Sequence, residues 1–135
     1  MVKNILAVLI GGALGSLLRY GINLGTLSYN FPFGTLLENI IGSLLLGVLT
    51  GWFLYINSAE WVKVGLGVGL CGGFTTMSTL AGDVFLMGSQ ATALLTGLYL
   101  FSSVIGGLLF AFIGIISGRR LAERRLSVHK GGEVE

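Results

Sequence analysis

The chain has few of the residues that a water-facing surface, a disulfide framework or a metal cluster requires. Charged residues make up 10% of its 135 positions, against 53% for hydrophobic residues, and the mean hydropathy is +0.89. The single cysteine, Cys71, excludes an internal disulfide, and the single histidine, His129, excludes a His/Cys metal cluster. Too little polar surface remains to cover a soluble domain, so the composition places the chain in a lipid bilayer.

Long apolar stretches take the place of the missing polar surface. Four of them, at residues 4–24, 33–56, 61–88 and 91–118, are long enough to cross a hydrocarbon core of about 30 Å as helices. The connections are short and the only proline, Pro32, lies in the first, so consecutive helices are predicted to be antiparallel neighbours. The sequence predicts an all-α integral membrane protein, with a four-helix domain at residues 1–118 and a basic cytoplasmic tail at 119–135.

Glycine is abundant, with 23 residues. Glycine is unfavourable in soluble helices, but in lipid it allows helix backbones to approach closely. Glycine pairs four residues apart occur on every span, at 11 and 15, 47 and 51, 65 and 69, 69 and 73, and 114 and 118. We expect some pairs to pack within the subunit and others to contact a second subunit.

Positive charge is concentrated on one side of the predicted bundle. If the four spans alternate in direction, both termini and the second connection share a side that carries seven cations, namely Lys3, Lys63, Arg119, Arg120, Arg124, Arg125 and Lys130. The other side has at most Arg19. The positive-inside rule then predicts a multi-pass protein of the cell membrane with both termini cytoplasmic. The basic tail is typical of contact with anionic lipid and not of a nucleic-acid arm.

The third apolar stretch contains an unusually polar segment, LCGGFTTMSTLAGD, at residues 70–83. Glycines beside hydroxyl residues mark a place where a membrane helix can break, so we predict an interruption near Gly72–Thr76. Thr75, Ser78 and Thr79 have helical spacing, and Tyr99, Ser102 and Ser103 repeat it on the fourth span. Two tracks of O–H donors suit a small desolvated anion. The alternative is that these hydroxyls bond to carbonyls of their own helices.

Besides Lys63 near the start of the third span, three charged residues lie inside the predicted spans. Arg19 is deep enough in the first span to face a vestibule or one end of the bundle, and Asp83 could end near the far interface. Glu38 lies about six residues into the second span, where snorkelling to the surface or a salt bridge is the expectation.

Three segments together resemble the Fluc/CrcB family of small fluoride channels. They are GGALGSLLRY at 11–20, PFGTLLENIIGSLLLG at 32–47 and LCGGFTTMSTL at 70–80, and the likeness covers nearly the whole chain. The resemblance implies a fluoride-selective channel that exports cytoplasmic fluoride passively and gives fluoride resistance. It also implies an antiparallel dimer of four-helix subunits, each with a broken third helix.

The resemblance also implies roles for particular residues. The residues that match the fluoride pore are Asn39, Thr76, Met77, Ser78, Thr79, Leu80, Tyr99 and Ser103. Arg19 matches a basic vestibule residue, and Gly107 stands where a further serine often occurs. The carbonyls of Gly72 and Thr75, with the same pair from a partner subunit, match a buried structural sodium site, and oxygen ligands suit such a hard cation.

The chain departs from the family pattern at Met77 and Leu80, where relatives usually have two phenylalanines whose positive ring edges line the fluoride path. Neither side chain offers that edge. A chain that dimerises antiparallel with itself needs balanced charge, whereas this one has a strong bias. Two partners stay open, a second copy or a paralogous subunit. We favour a heterodimeric pair in which an oppositely oriented paralogue supplies the phenylalanines.

Other classes of function fit less well. A four-helix multidrug exporter coupled to protons needs a glutamate in its first helix, but residues 4–24 contain no acid and Glu38 is the only candidate. A non-transporting assembly protein would explain the glycines but not the hydroxyls. An enzyme is not expected because no nucleophile–base pair is visible.

Overall fold

The computed structural model describes residues 1–29 and 31–131, without the side chains of Gln90 and residues 128–131. Within these ranges the chain is all-helical and has no strand. Helix α1 spans Val2–Thr26, α2 spans Phe33–Phe53, and α6 spans Ala93–Gly131. The third apolar stretch is a series of elements, which are α3 (Glu60–Val64), a π-helical segment (Gly65–Cys71), α4 (Gly72–Phe74) and α5 (Ser78–Gln90).

Four helical segments are long and apolar enough to cross a membrane, at Val2–Thr26, Phe33–Phe53, Glu60–Ser89 and Ala93–Ser127. Most large apolar side chains on them are exposed, for example Leu9, Phe85 and Leu108 at 62%, 80% and 69%. Such an inverted surface is stable only in a hydrocarbon solvent. The chain is therefore a multi-pass membrane protein, as its composition predicts.

Two helix pairs form the subunit. Helix α1 packs on the first half of the third span, and α2 packs on α6 along most of its length. At both contacts glycine lets the backbones approach: a Cβ at Gly11 would overlap the carbonyl oxygen of Gly65, and one at Gly47 would overlap that of Ala111. Members of every predicted glycine pair lie at these contacts, so the glycine pairs serve packing within the subunit.

The bundle has two chemically different ends. One end carries Lys3, Lys63 and the arginines near the C-terminus of α6. There Arg119 lies over the Tyr55 ring and Arg125 over the Trp52 ring, both 5.5 Å from the ring centroid. We call this the basic end. Residues 27–29, 31–32 and 91–92 of the connections lie at the other end, which we call the loop end. There the Phe31 and Tyr99 rings meet edge to face.

The last helix does not stop at the edge of the predicted membrane domain. It continues through Gly118 to Gly131, and Arg119 pairs with Glu123 one turn later at 2.9 Å. The predicted boundary between residues 118 and 119 is thus a change in composition within one helix. Residues 132–135 and the side chain of Lys130 lie outside the described part.

Candidate functional site

The third span is interrupted at residues 75–77. The α-helix ends at Phe74 and resumes at Ser78, and Thr75 is extended, with φ −79° and ψ 157°. The glycine pair that prompted the prediction is itself helical, and no described residue has a positive φ. Gly73 is instead used for packing, because a Cβ there would lie 2.5 Å from the Gly12 carbonyl oxygen. The interruption therefore rests on partners for the freed backbone groups.

Asn39 on α2 provides those partners. Its Oδ1 accepts the Thr76 N–H at 2.8 Å, and its Nδ2 donates to the Thr76 carbonyl oxygen at 3.0 Å. The side-chain amide thus replaces a neighbouring backbone peptide for Thr76. Because buried backbone groups are costly without partners, this pair of bonds stabilises the interruption inside the membrane.

The bonds around Thr76 leave two carbonyl groups without their usual helical donors. In a continuous helix the Thr76 N–H would donate to the Gly72 carbonyl, and the Thr79 N–H to the Thr75 carbonyl. Here the Thr76 N–H donates to Asn39, and the Thr79 N–H donates to the Thr76 hydroxyl at 3.2 Å. Gly72 and Thr75 thus lose their usual helical donors.

A chain of polar side chains runs from the interruption in two directions. Toward the loop end, the buried Thr76 hydroxyl donates to Thr79 Oγ1 at 3.0 Å and lies 3.3 Å from Ser78 Oγ. Toward α6, Asn39 Nδ2 donates to Ser103 Oγ at 3.4 Å, and Ser103 is only 3% exposed. The structure therefore brings together five of the eight predicted pore residues, namely Asn39, Thr76, Ser78, Thr79 and Ser103.

Two hydroxyls of the predicted tracks bond to their own helices. The Thr75 hydroxyl donates to the Cys71 carbonyl at 2.9 Å, and the Ser102 hydroxyl donates to the Tyr99 carbonyl at 3.0 Å. For these two residues the simpler alternative applies. Thr75 packs its methyl group toward Gly42 instead of joining Ser78 and Thr79 on one face.

A polar cavity opens at the loop end, with a volume of about 760 Å³. We call it the loop-end cavity; its polar lining includes Asn23, Thr26, Thr35, Thr79 and Asp83. Beside it the Tyr99 hydroxyl donates to Asp83 Oδ2 at 2.8 Å, with Tyr99 only 1% exposed. The hydroxyl hydrogen of Tyr99 is thus committed to a carboxylate. Because Thr79 lines the cavity, the hydroxyl cluster connects with it.

Met77 and Leu80 lie in opposite environments. Met77 is 70% exposed on the surface of the subunit, whereas Leu80 is 2% exposed in its interior. Gly107, where a further hydroxyl is missing on α6, faces Ser43 of α2, whose Oγ would lie 3.2 Å from a Cβ at Gly107. A hydroxyl from the neighbouring helix therefore occupies this place.

Arg19 and Glu38 are the next predicted residues to be located, and the surroundings of Glu38 differ from those expected. Arg19 is half-buried on α1 and is absent from the described lining of the loop-end cavity. Glu38 is completely buried, and neither carboxylate oxygen has a hydrogen-bond partner among the described residues. The expectation of snorkelling or a salt bridge for Glu38 is therefore wrong, because α2 turns this side chain inward instead of toward an interface.

Sequence reasoning missed Thr35, Ser43 and the contact between Asp83 and Tyr99. A signal for α2 was present, since Thr35, Glu38, Asn39 and Gly42 follow the i, i+3, i+4, i+7 spacing of one helix face. The contact between Asp83 and Tyr99 joins different spans, and no local spacing encodes it.

Comparison with known proteins assigns the chain to a family. The family model for CrcB-like proteins, described as Camphor Resistance (CrcB), matches residues 6–115. A protein of Halalkalibacterium halodurans named "Fluoride-specific ion channel FluC 2" is 52% identical over 124 residues, which are 92% of each chain.

Relatives from other bacteria agree. The Bacillus subtilis protein of the same name is 50% identical over 118 residues, which are 86% of this chain and 88% of the relative. "Fluoride-specific ion channel FluC" of Gloeobacter violaceus is 38% identical over 128 residues, or 90% and 100% of the two chains. These matches span the four membrane helices and the interrupted segment together. The chain therefore belongs to the CrcB family of membrane proteins.

Proposed function

We propose that this chain is a subunit of a fluoride-selective channel that releases cytoplasmic fluoride passively across the cell membrane. The carrying observation is the chain of hydrogen-bonded polar groups from the exposed Thr79 through the buried Thr76 and the half-buried Asn39 to the buried Ser103. Relatives that cover nearly the whole chain are named fluoride-specific ion channels. They do not favour a proton-coupled exporter, and a channel of this family is not an enzyme.

The chemistry of the polar chain suits fluoride. A small anion leaves water only where hydrogen-bond donors replace its hydration shell, and hydroxyl and amide groups supply such donors without a trapped countercharge. Thr76, Ser78, Thr79 and Ser103 supply hydroxyls, and Asn39 orients the segment that carries three of them. In this proposal Tyr99 acts through Asp83, and Leu80 forms part of the pore wall from inside the subunit.

The carbonyls of Gly72 and Thr75 fit a structural sodium ion. Both have lost their helical donors to the bonds around Asn39 and Thr76, and carbonyl oxygens are ligands that hard cations accept. Two such groups from one subunit leave a coordination shell incomplete, so the same pair from a partner would complete it. The ion would supply positive charge that holds two interrupted helices together.

A partner subunit is part of the proposal, in antiparallel orientation. Met77 is exposed within the interruption, where a partner would cover it. The cations at the basic end favour a single orientation with both termini cytoplasmic. A paralogous subunit in the opposite orientation, which supplies phenylalanines near Met77, satisfies both observations, whereas a second copy would need to insert against its charge bias.

Fluoride efflux from liposomes tests the channel. We expect little efflux with this protein alone and rapid fluoride-selective efflux when an oppositely oriented paralogue is co-reconstituted, with chloride as the comparison anion. Rapid efflux from the single protein would contradict an obligate pair. Absence of efflux from both preparations, with correctly folded protein, would contradict the channel itself.

A further inference from the structure

Glu38 lies on the same face of α2 as Thr35 and Asn39. On α2, Thr35 lines the cavity one turn before it, and Asn39 follows it directly. The Glu38 side chain is 0% exposed, and in the described part of the chain neither of its oxygens accepts or donates a hydrogen bond. Among the described acidic residues, this is the one fully enclosed by the subunit.

The surroundings do not compensate a negative charge on Glu38. The charged and titratable groups whose fields act on it are Arg19 on α1, Asp83 on α5 and Tyr99 on α6. Arg19 forms no ion pair with Glu38 among the described residues. Asp83 would repel a second carboxylate, and the Tyr99 hydroxyl already donates to Asp83. An enclosed ionised carboxylate without donor or counterion costs several kcal/mol, whereas the neutral acid avoids this cost.

We propose that Glu38 is held as the neutral acid and that its O–H group donates a hydrogen bond to fluoride between the loop-end cavity and Asn39. The proton stays on the Glu38 oxygen throughout. No hydrogen bond within the described part of the chain engages the carboxyl group, so its O–H group remains available as a donor. The inference rests on the proposed channel function, because it adds a donor to the same path.

Ionisation of Glu38 has the opposite effect. A carboxylate cannot donate, and its charge repels an anion strongly where water is excluded. Fluoride conduction therefore falls as pH rises and Glu38 loses its proton. Glutamine keeps an N–H donor of nearly the same shape but does not titrate. Glu38→Gln therefore separates hydrogen-bond donation from ionisation.

The transport experiment compares fluoride efflux from liposomes at several values between about pH 5 and pH 9, with leakage from protein-free liposomes subtracted. We expect wild-type efflux to fall about tenfold or more across the range as Glu38 ionises. Glu38→Gln retains efflux with a flat profile, Glu38→Leu loses most efflux, and Glu60→Gln, which removes an exposed carboxyl group at the basic end, keeps the wild-type pH dependence. Identical profiles for wild type and Glu38→Gln overturn the proposal.

A second measurement does not depend on transport. Infrared spectra of the reconstituted protein at neutral pH should contain a carboxylic-acid C=O band that is absent from Glu38→Gln and retained in Asp83→Asn. Sodium fluoride, but not sodium chloride, should shift this band. Absence of the band, or a band insensitive to fluoride, overturns the proposal. A fluoride-sensitive band without efflux supports the donor role and rejects only the channel.

Discussion

The side chain of Asn39 bonds to both backbone polar groups of Thr76, at 2.8 Å to the N–H and 3.0 Å to the carbonyl oxygen. These two residues are 37 positions apart, and their contact joins α2 to the interrupted span. It satisfies a backbone that has left the helix, and it diverts the donor that would otherwise bond the Gly72 carbonyl. One side chain thus connects the hydroxyl cluster with the carbonyl pair.

Asn39→Asp tests this connection. An ionised aspartate keeps an oxygen for the Thr76 N–H but places its second oxygen against the Thr76 carbonyl, where both groups only accept, so the comparison is made at about pH 9. Loss of the part-buried bond from Asn39 to the Thr76 carbonyl should destabilise the subunit by about 1–3 kcal/mol and reduce fluoride efflux at least about tenfold. Asn57→Asp, at an exposed position of the second connection, is the control. Unchanged melting and efflux for Asn39→Asp would contradict the role of this amide.

The contact between α2 and α6 predicts a sharp difference between two glycines of one helix. A Cβ at Gly114 would overlap the Leu44 carbonyl oxygen, whereas nothing lies within 4 Å of one at Gly97. Gly114→Ala should lower the free energy of unfolding by about 1–3 kcal/mol through overpacking against backbone. Gly97→Ala should be neutral or slightly stabilising. Thermal unfolding in detergent measures both, and equal melting temperatures would argue against this helix contact.

The hydrogen bond from Tyr99 to Asp83 predicts that their substitutions are not additive. Tyr99→Phe and Asp83→Ala each remove the same contact, so the double variant should lose less stability than the sum of the two. A double-mutant cycle should give a coupling of about 0.5–3 kcal/mol. Tyr20→Phe is the control, because Tyr20 is 61% exposed. A coupling near zero would mean that the bond contributes nothing to stability.

Phenylalanine at positions 77 and 80 should have different consequences. Met77→Phe adds a ring at an exposed position and should leave the melting temperature unchanged, while Leu80→Phe enlarges a side chain that is 2% exposed and should cost about 1–3 kcal/mol. If the absence of phenylalanine rings limits conduction by this protein alone, Met77→Phe raises its fluoride efflux. A gain with the paralogue but none with the protein alone would instead favour the obligate pair.

The charge bias predicts a single orientation that depends on the end of α6. A C-terminal reporter should be cytoplasmic in all wild-type molecules. Replacement of Arg119, Arg120, Arg124 and Arg125 by glutamine should produce a mixed population, because lysine and arginine near the membrane set topology. Acids contribute little to this rule, so Glu60→Gln serves as the control. A mixed wild-type population would contradict the orientation argument.

Part of the site was predictable from local spacing. The hydroxyls at Thr76, Ser78 and Thr79 and the amide at Asn39 stand out in an apolar chain, because polar groups are costly in lipid and need a reason to be there. The position of the interruption was less predictable. Glycines pointed to Gly72 and Gly73, yet the helix continues through both. Gly73 serves close packing against Gly12, whereas nothing lies within 4 Å of a Cβ at Gly72.

The sequence by itself determined that the chain lies in lipid, how many spans it has and which end carries positive charge. It could do so because hydropathy and charge are sums over neighbouring residues. Tertiary structure alone decided that Asn39 bonds to the Thr76 backbone, that Tyr99 donates to Asp83, and that Glu38 is enclosed without a hydrogen-bond partner among the described residues. These outcomes depend on which faces of distant helices meet. The close backbone contacts at the glycines determine which faces meet. These contacts join residues that are distant in sequence, so no local pattern reveals them.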